Sequence, residues 1–376
     1  MPPPHNGNER LPFAQLVQLE KIDSNTFQSV ALPFTPRGRP RDGDGKNDGT
    51  DGVAYGGHVF MQAAWAACRT VPGGDGDGNG DGRRGFLLSN VSGNFLAPGI
   101  PTIKYTYHVV RIRDGRTSCT RIVNVSQRQG KGYMFTCICS FKLAEAESLD
   151  VQAPIDIWEK YKLGRSTRVR GFPEAPGYDV PWYWRETKEQ KKENDVFPGL
   201  WTRQADLTRY NEGRHPLDKR QLVFYRTIGD LPDDDENGNL HLVAHLYASD
   251  RNSLFHVANA VGLGEDYSVM GSLVHQVIFH TGVEDLKFAK DRGDDDDDES
   301  AEWFVKEDAV TRYVAGRGLF YSRVWNSKGK HVMTVTQDGM VRIQPEKEKS
   351  VEGIESSWKG AVLQEMADIK RRQEKL

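Results

Sequence analysis

Two periodicities organise the chain. In GGHVFMQAAWAACRTV (56–71), Val59, Ala63, Ala66 and Ala67 lie on one face at intervals of three and four, with small residues throughout. That spacing predicts a helix meant for close burial. The runs FLLSNVSGNFLAP (86–98), TIKYTYHVVRIRDG (102–115), TSCTRIVNVSQRQG (117–130) and KGYMFTCICSFKL (131–143) alternate instead. They are rich in β-branched and aromatic residues, their joints are Arg-Asp-Gly and Gln-Gly-Lys-Gly turns, and they predict four antiparallel strands.

The same grammar returns roughly two hundred residues later. VFYRTIG (223–229) leads to a helix over 241–261, then to strands at 272–281, 301–314, 318–327 and 330–343. Thr120-Arg121-Ile122 is echoed by Ser322-Arg323-Val324, and Gly130-Lys131 by Gly329-Lys330, on equivalent turns and in the same order. The expectation is two copies of one α+β unit, 1–143 and 223–343, joined by a connector rich in Pro, Trp and charge at 144–222. Gly- and Asp-rich stretches at 41–52, 73–85 and 291–300 cannot bury enough apolar surface to pack and read as inserted loops. In the tail, 344–376, Ile354, Trp358, Val362, Met366 and Ile369 share one face and predict an amphipathic helix.

Composition narrows the classes. With 37% hydrophobic and 27% charged residues among 376, a mean hydropathy of -0.63 and no run of about 18 apolar residues, the chain reads as globular, without a membrane span. A net charge of -3 provides no basic field for nucleic acid. The first residues lack the apolar segment of a signal peptide. Four cysteines without dense spacing suggest free thiols, and Cys137 and Cys139, two apart on a strand, suggest core packing rather than a metal or redox pair. Asp75, Asp77, Asn79 and Gly80 imitate the start of a calcium loop, but Phe86 stands where a bidentate Glu is required. No metal or cofactor is expected.

No G-x-S-x-G, H-E-x-x-H, P-loop or dinucleotide fingerprint is present. A hydrolase built without them must activate water directly, with a carboxylate base and side chains that orient the water.

YGGHVFMQAAWAACRTVP, NFLAPG and VVRIRDGRTSCTRIVNVSQRQG together resemble the first half of TesB-like acyl-CoA thioesterases II, and LYASDRNSL, SLVHQVIFH and TVTQDGMVR resemble the second. The resemblance covers about Leu16 to Ile343, spares the acidic loops, most of the connector and the tail, and points to a member of fungal type. It implies a tandem double hotdog, in which an antiparallel sheet wraps a central helix in each repeat, and hydrolysis of fatty acyl-CoA to free acid and coenzyme A. It also implies a water-activating trio, Asp250 as general base with Ser272 and Gln337 holding the water. The chain departs from the family where Ser272 replaces a common Thr and where Val274-His275 replaces an Asp-His pair.

An oxyanion needs donors, and the amides of Gly56, Gly57 and His58 open the first helix. His58 itself reads as structural. The competing classes are a hotdog hydratase or dehydratase, which needs an Asp and a His acting together, a thioesterase of a specialised polyketide or lipid pathway, and an acyl-CoA binding module without a base. The expected partner is acyl-CoA, with self-association left open. Lys375-Leu376 matches the end of a peroxisomal Ser-Lys-Leu signal, although Glu374 replaces the serine. By the tripeptide alone these charges read as the end of a solvated helix; the resemblance, many of whose members act on acyl-CoA in peroxisomes, shifts the expectation slightly toward the peroxisome over the cytoplasm.

Overall fold

The computed structural model describes residues 10–35, 53–71, 85–128, 130–145, 149–164, 169–181, 184, 197–232, 238–290 and 303–343. The loops at 41–52 and 291–300, nearly all of 73–85, the tail helix and the C-terminal tripeptide lie outside these residues.

Both repeats follow one plan. In the first, β1 (Leu19–Lys21) and β2 (Thr26–Ser29) precede helix α1 (Gly56–Cys68), followed by β3 (Leu87–Phe95), β4 (Thr106–Asp114), β5 (Ser118–Ser126) and β6 (Phe135–Lys142). In the second, β7 (Leu200–Gln204) and β8 (Gln221–Thr227) precede α2 (Asn239–Ser249) and α3 (Ser253–Ala260), followed by β9 (Tyr267–Phe279), β10 (Phe304–Val314), β11 (Arg317–Trp325) and β12 (His331–Ile343).

The twelve strands form one sheet, ordered β1-β2-β4-β5-β6-β3-β9-β12-β11-β10-β8-β7. Counted outward from its centre, each half has the same sequence of strands, which makes the duplication visible in the topology. The halves join where β3 and β9 pair antiparallel, from Asn90↔Ile278 to Asn94↔Val274. They therefore share one continuous sheet rather than two neighbouring ones.

Inside the curl of the sheet, α1 packs against α2. Val59, Phe60, Met61, Ala63, Ala64, Ala66 and Ala67 are essentially unexposed, so α1 is buried on every side. Such a helix must be apolar all round, and its alanines allow close approach. A second core lies elsewhere: Ile157 and Tyr161 of the connector pack with Leu222, Phe224, Trp303, Val305 and Trp325. Through it, β8 is buried along its whole length, like a strand covered on both faces.

Three expectations change. The helix expected over 241–261 is two helices broken at Asp250–Asn252. The stretch read as connector contains β7 and the start of β8. β9 begins at Tyr267, so Ser272 lies inside the strand rather than at its start. All four cysteines are free and buried, with the Cys137 and Cys139 sulfurs 3.8 Å apart.

Candidate active site

The helix break positions the carboxylate. Asp250 is the C-terminal cap of α2, and Asn252 turns the chain in the left-handed region at φ 57° before α3 starts. That turn suits a short polar side chain. Buried groups hold it: Lys306 Nζ of β10 donates to the Arg251 carbonyl at 2.6 Å, and Arg251 Nη2 donates to the Ala175 carbonyl at 2.7 Å.

Asp250 faces the N-terminus of α1 across the repeat boundary. Its Oδ2 accepts the Gly57 N–H at 2.8 Å, and its Oδ1 accepts Gln337 Nε2 at 2.8 Å and the Ser253 hydroxyl at 3.3 Å. Gln337 Nε2 also reaches Ser272 Oγ at 2.5 Å. The structure thus brings Asp250, Ser272 and Gln337 into one hydrogen-bonded cluster. Burial raises the Asp250 carboxyl from its ordinary 3.8 to about 6, while Gln337, the Gly57 amide, Lys306 and Ser253 oppose the shift.

Ser272 belongs to this cluster because of a bulge. The β9–β12 register shifts between Val274↔Asp338 and Ser272↔Gly339. With regular alternation, Ser272 would share the outer face with Val274, which is 37% exposed. The extra residue turns Ser272 to the inner face beside Gln337. Gly339 leaves room there, because a Cβ at that position would meet Leu254 of α3 at 2.5 Å.

The three opening amides of α1 divide. Gly57 N–H is taken by Asp250 and His58 N–H by the Tyr55 carbonyl at 3.1 Å. The expectation that all three face a substrate oxygen is corrected accordingly. Gly56 N–H has no hydrogen-bond partner among the described residues. A Cβ on Gly56 would meet Asp250 Oδ2 at 2.9 Å and the Phe95 ring at 3.1 Å, so glycine keeps the carboxylate and this amide close together.

The His58 side chain is fully buried away from Asp250, among Tyr105 and Tyr247, with Nδ1 3.5 Å from Phe34 N. Burial lowers it to about 4. His275 is equally buried and bonds to Ser249 at 2.7 Å. Neither histidine hydrogen-bonds to Asp250, so the Asp-His pair of a hydratase is not formed. Sequence reasoning missed Lys306, Arg251 and Ser253, and weighed His275, like His58, only as a possible partner of an Asp in a hydratase. The polar run Ser249-Asp250-Arg251-Asn252-Ser253 inside an apolar helical pattern was the available signal for the break. Among the described residues no cluster could hold a metal ion, and no helix is long and apolar enough to cross a membrane.

Two repeats, each curling half of a shared antiparallel sheet around its own helix, make this a double hotdog, with a buried carboxylate where the helices meet. A family profile of the acyl-CoA thioesterase N-terminal domain matches residues 46–142, and one of the C-terminal domain matches 184–341. The chain is 25% identical over 313 residues to acyl-coenzyme A thioesterase 8 of Mus musculus, covering 79% of this chain and 82% of that protein. Its fold is similar to that of an acyl-CoA thioesterase II TesB2 from Mycobacterium marinum (TM-score 0.57, 20% identity, covering 88% of this chain and 97% of the other). A hot dog fold protein from Alicyclobacillus acidocaldarius is also similar (TM-score 0.51, 13% identity, covering 88% and 97%). The chain belongs to the TesB-like acyl-CoA thioesterase family and is an acyl-CoA thioesterase, a thioester hydrolase.

Proposed function

We propose that the chain hydrolyses fatty acyl-CoA to free fatty acid and coenzyme A, with Asp250 as general base toward water. The carboxylate takes a proton from a water oriented by Ser272 Oγ and the Gln337 carboxamide, and the water oxygen bonds to the thioester carbonyl carbon. The oxyanion accepts the free Gly56 N–H, assisted by the positive end of α1. On collapse the carbon–sulfur bond breaks, and Asp250 returns its proton to the departing thiolate. Each cycle consumes one water and releases acid and thiol.

The observation that carries this reading is the buried carboxylate, poised near 6 and tied to a helix N-terminus and to Gln337. At neutral pH such a group is mostly ionised yet a far better proton acceptor than an ordinary aspartate. The test is thiol release from saturated acyl-CoAs of increasing length by the wild type and Asp250→Asn. The expected loss is about 10²–10⁴-fold in kcat with an unchanged melting temperature. Wild-type turnover by a folded Asp250→Asn protein removes Asp250 as the base, and failure to cleave any chain above about eight carbons removes the fatty acyl assignment.

A peroxisomal address is the finer reading of Glu374-Lys375-Leu376. Fusing the last twelve residues to a fluorescent protein should give punctate fluorescence coincident with peroxisomes, and diffuse fluorescence overturns it.

A further inference from the structure

Gln337 presents its amide nitrogen to Asp250 and Ser272, and this orientation is forced, because the flipped amide would point its oxygen at the carboxylate. Its own oxygen, Oε1, is then buried without a hydrogen-bond partner. Across the sheet, Gln337 of β12 is in register with His275 of β9. Directly paired residues project from the same face with Cβ atoms about 5 Å apart. His275 also has a buried atom without a partner, Nδ1. One orphaned acceptor and one ring nitrogen thus face each other, where unsatisfied polar atoms are costly.

The other ring nitrogen indicates how both are satisfied. His275 Nε2 lies 2.7 Å from Ser249 Oγ, in the last turn of α2 immediately before Asp250. The Ser249 hydroxyl has one proton and two acceptors at 2.7 Å, the Leu246 carbonyl and His275 Nε2; given to Nε2, it leaves the ring proton on Nδ1, on the side of Gln337, and only that arrangement satisfies both orphaned atoms. Phe60 packs edge-on against the imidazole, with ring centroids 4.7 Å apart, and holds its plane. On its other flank, His275 is paired with Gly93 of β3, which has no side chain to compete.

We propose that His275 is a positioning residue for the hydrolytic site, donating Nδ1–H to Gln337 Oε1 so that the carboxamide nitrogen stays aimed at Asp250 and Ser272. The chain runs Ser249, His275, Gln337, Asp250, and its two ends are adjacent in sequence, so the helix break and the catalytic amide are locked together. The histidine stays neutral throughout, since burial and the nearby Lys306 charge hold it at about 3. The inference rests on Gln337 acting as proposed above.

The test uses full-length His275→Asn, which keeps a donor near the Nδ1 position, His275→Phe, which keeps the ring but no donor, Ser249→Ala, Gln337→Ala and the His275→Phe/Gln337→Ala double variant. Expected for His275→Phe is a loss of about tenfold in kcat, with KM unchanged. His275→Asn should recover most of it, and Ser249→Ala should lose less than His275→Phe. In the Gln337→Ala background, His275→Phe should cost nothing further. Equal losses in the Asn and Phe variants, or additive losses in the double variant, overturn the positioning role while leaving the base assignment intact. If His275→Phe does not fold, unchanged kcat in Ser249→Ala overturns it. Gln337→Ala with wild-type kcat overturns both this role and the water-holding role of Gln337.

Discussion

The duplicated fold offers two equivalent places for a catalytic group, and only one is equipped. Where the C-terminal end of α2 meets the N-terminus of α1, Asp250 accepts the Gly57 amide. At the opposite end of the helix pair, α2 begins with Asn239, whose side chain bonds to Leu88 N and the Phe86 carbonyl, both at 2.9 Å, stitching the helix to the edge of β3. After the C-terminus of α1, Thr70 is held by the fully buried Arg121, through its Oγ and its carbonyl, both at 3.0 Å. Chemistry at one end corresponds to fastening at the other. A symmetric scaffold therefore does not need symmetric sites, and in the proposed mechanism the first repeat contributes only backbone, at the start of α1.

Substitutions at the two ends should separate stability from turnover. Arg121→Met removes a buried guanidinium that also pairs with Asp114 at 2.5 Å. Its expected cost is about 3 kcal/mol in denaturant unfolding, with kcat of the folded protein unchanged. A comparable loss of kcat in folded Arg121→Met would show the two ends to be functionally coupled. Ser272→Ala and Gln337→Ala should do the reverse, lowering kcat about ten- to a hundredfold, or roughly 1.4–2.7 kcal/mol in the barrier, with little change in melting temperature. Stability losses without kinetic ones would make the equipped end another fastening. Asn239→Ala should cost about 1–2 kcal/mol of stability and nothing in turnover, which urea titration and thiol release together would check. Smallest is Ser272→Thr, which keeps the hydroxyl and should remain within about twofold of wild type; a large loss would mean that the bulge fits serine alone.

The duplication was legible in the sequence because alternating runs and Gly-containing turns are local signals. Equally legible were the residues of the cluster, by their resemblance to the family. The geometry joining them was not. The α2–α3 break was hidden because Leu254, Val257 and Ala258 continue the helical spacing past Asn252, so periodicity alone joins the two helices. The bulge was hidden because it depends on the β9–β12 register, which is a tertiary property. β7 escaped because its five residues lie in a charged, Trp-rich stretch where short strands carry little pattern.

If Asp250 ionises near 6 and works as the base, the pH dependence of kcat/KM must show it. Only the carboxylate accepts a proton, so activity should fall tenfold per unit below about pH 6 and level off above it. The buried histidines His58, His245, His256 and His275 are held at about 4 or below and cannot supply that limb. Asp308, paired with Lys306 at 3.0 Å, is also raised to about 6, so the profile is measured in Asp308→Asn as well, where the limb should persist. A profile flat from pH 5 to 7, or a limb that disappears in Asp308→Asn, would contradict the assignment of Asp250 as the base.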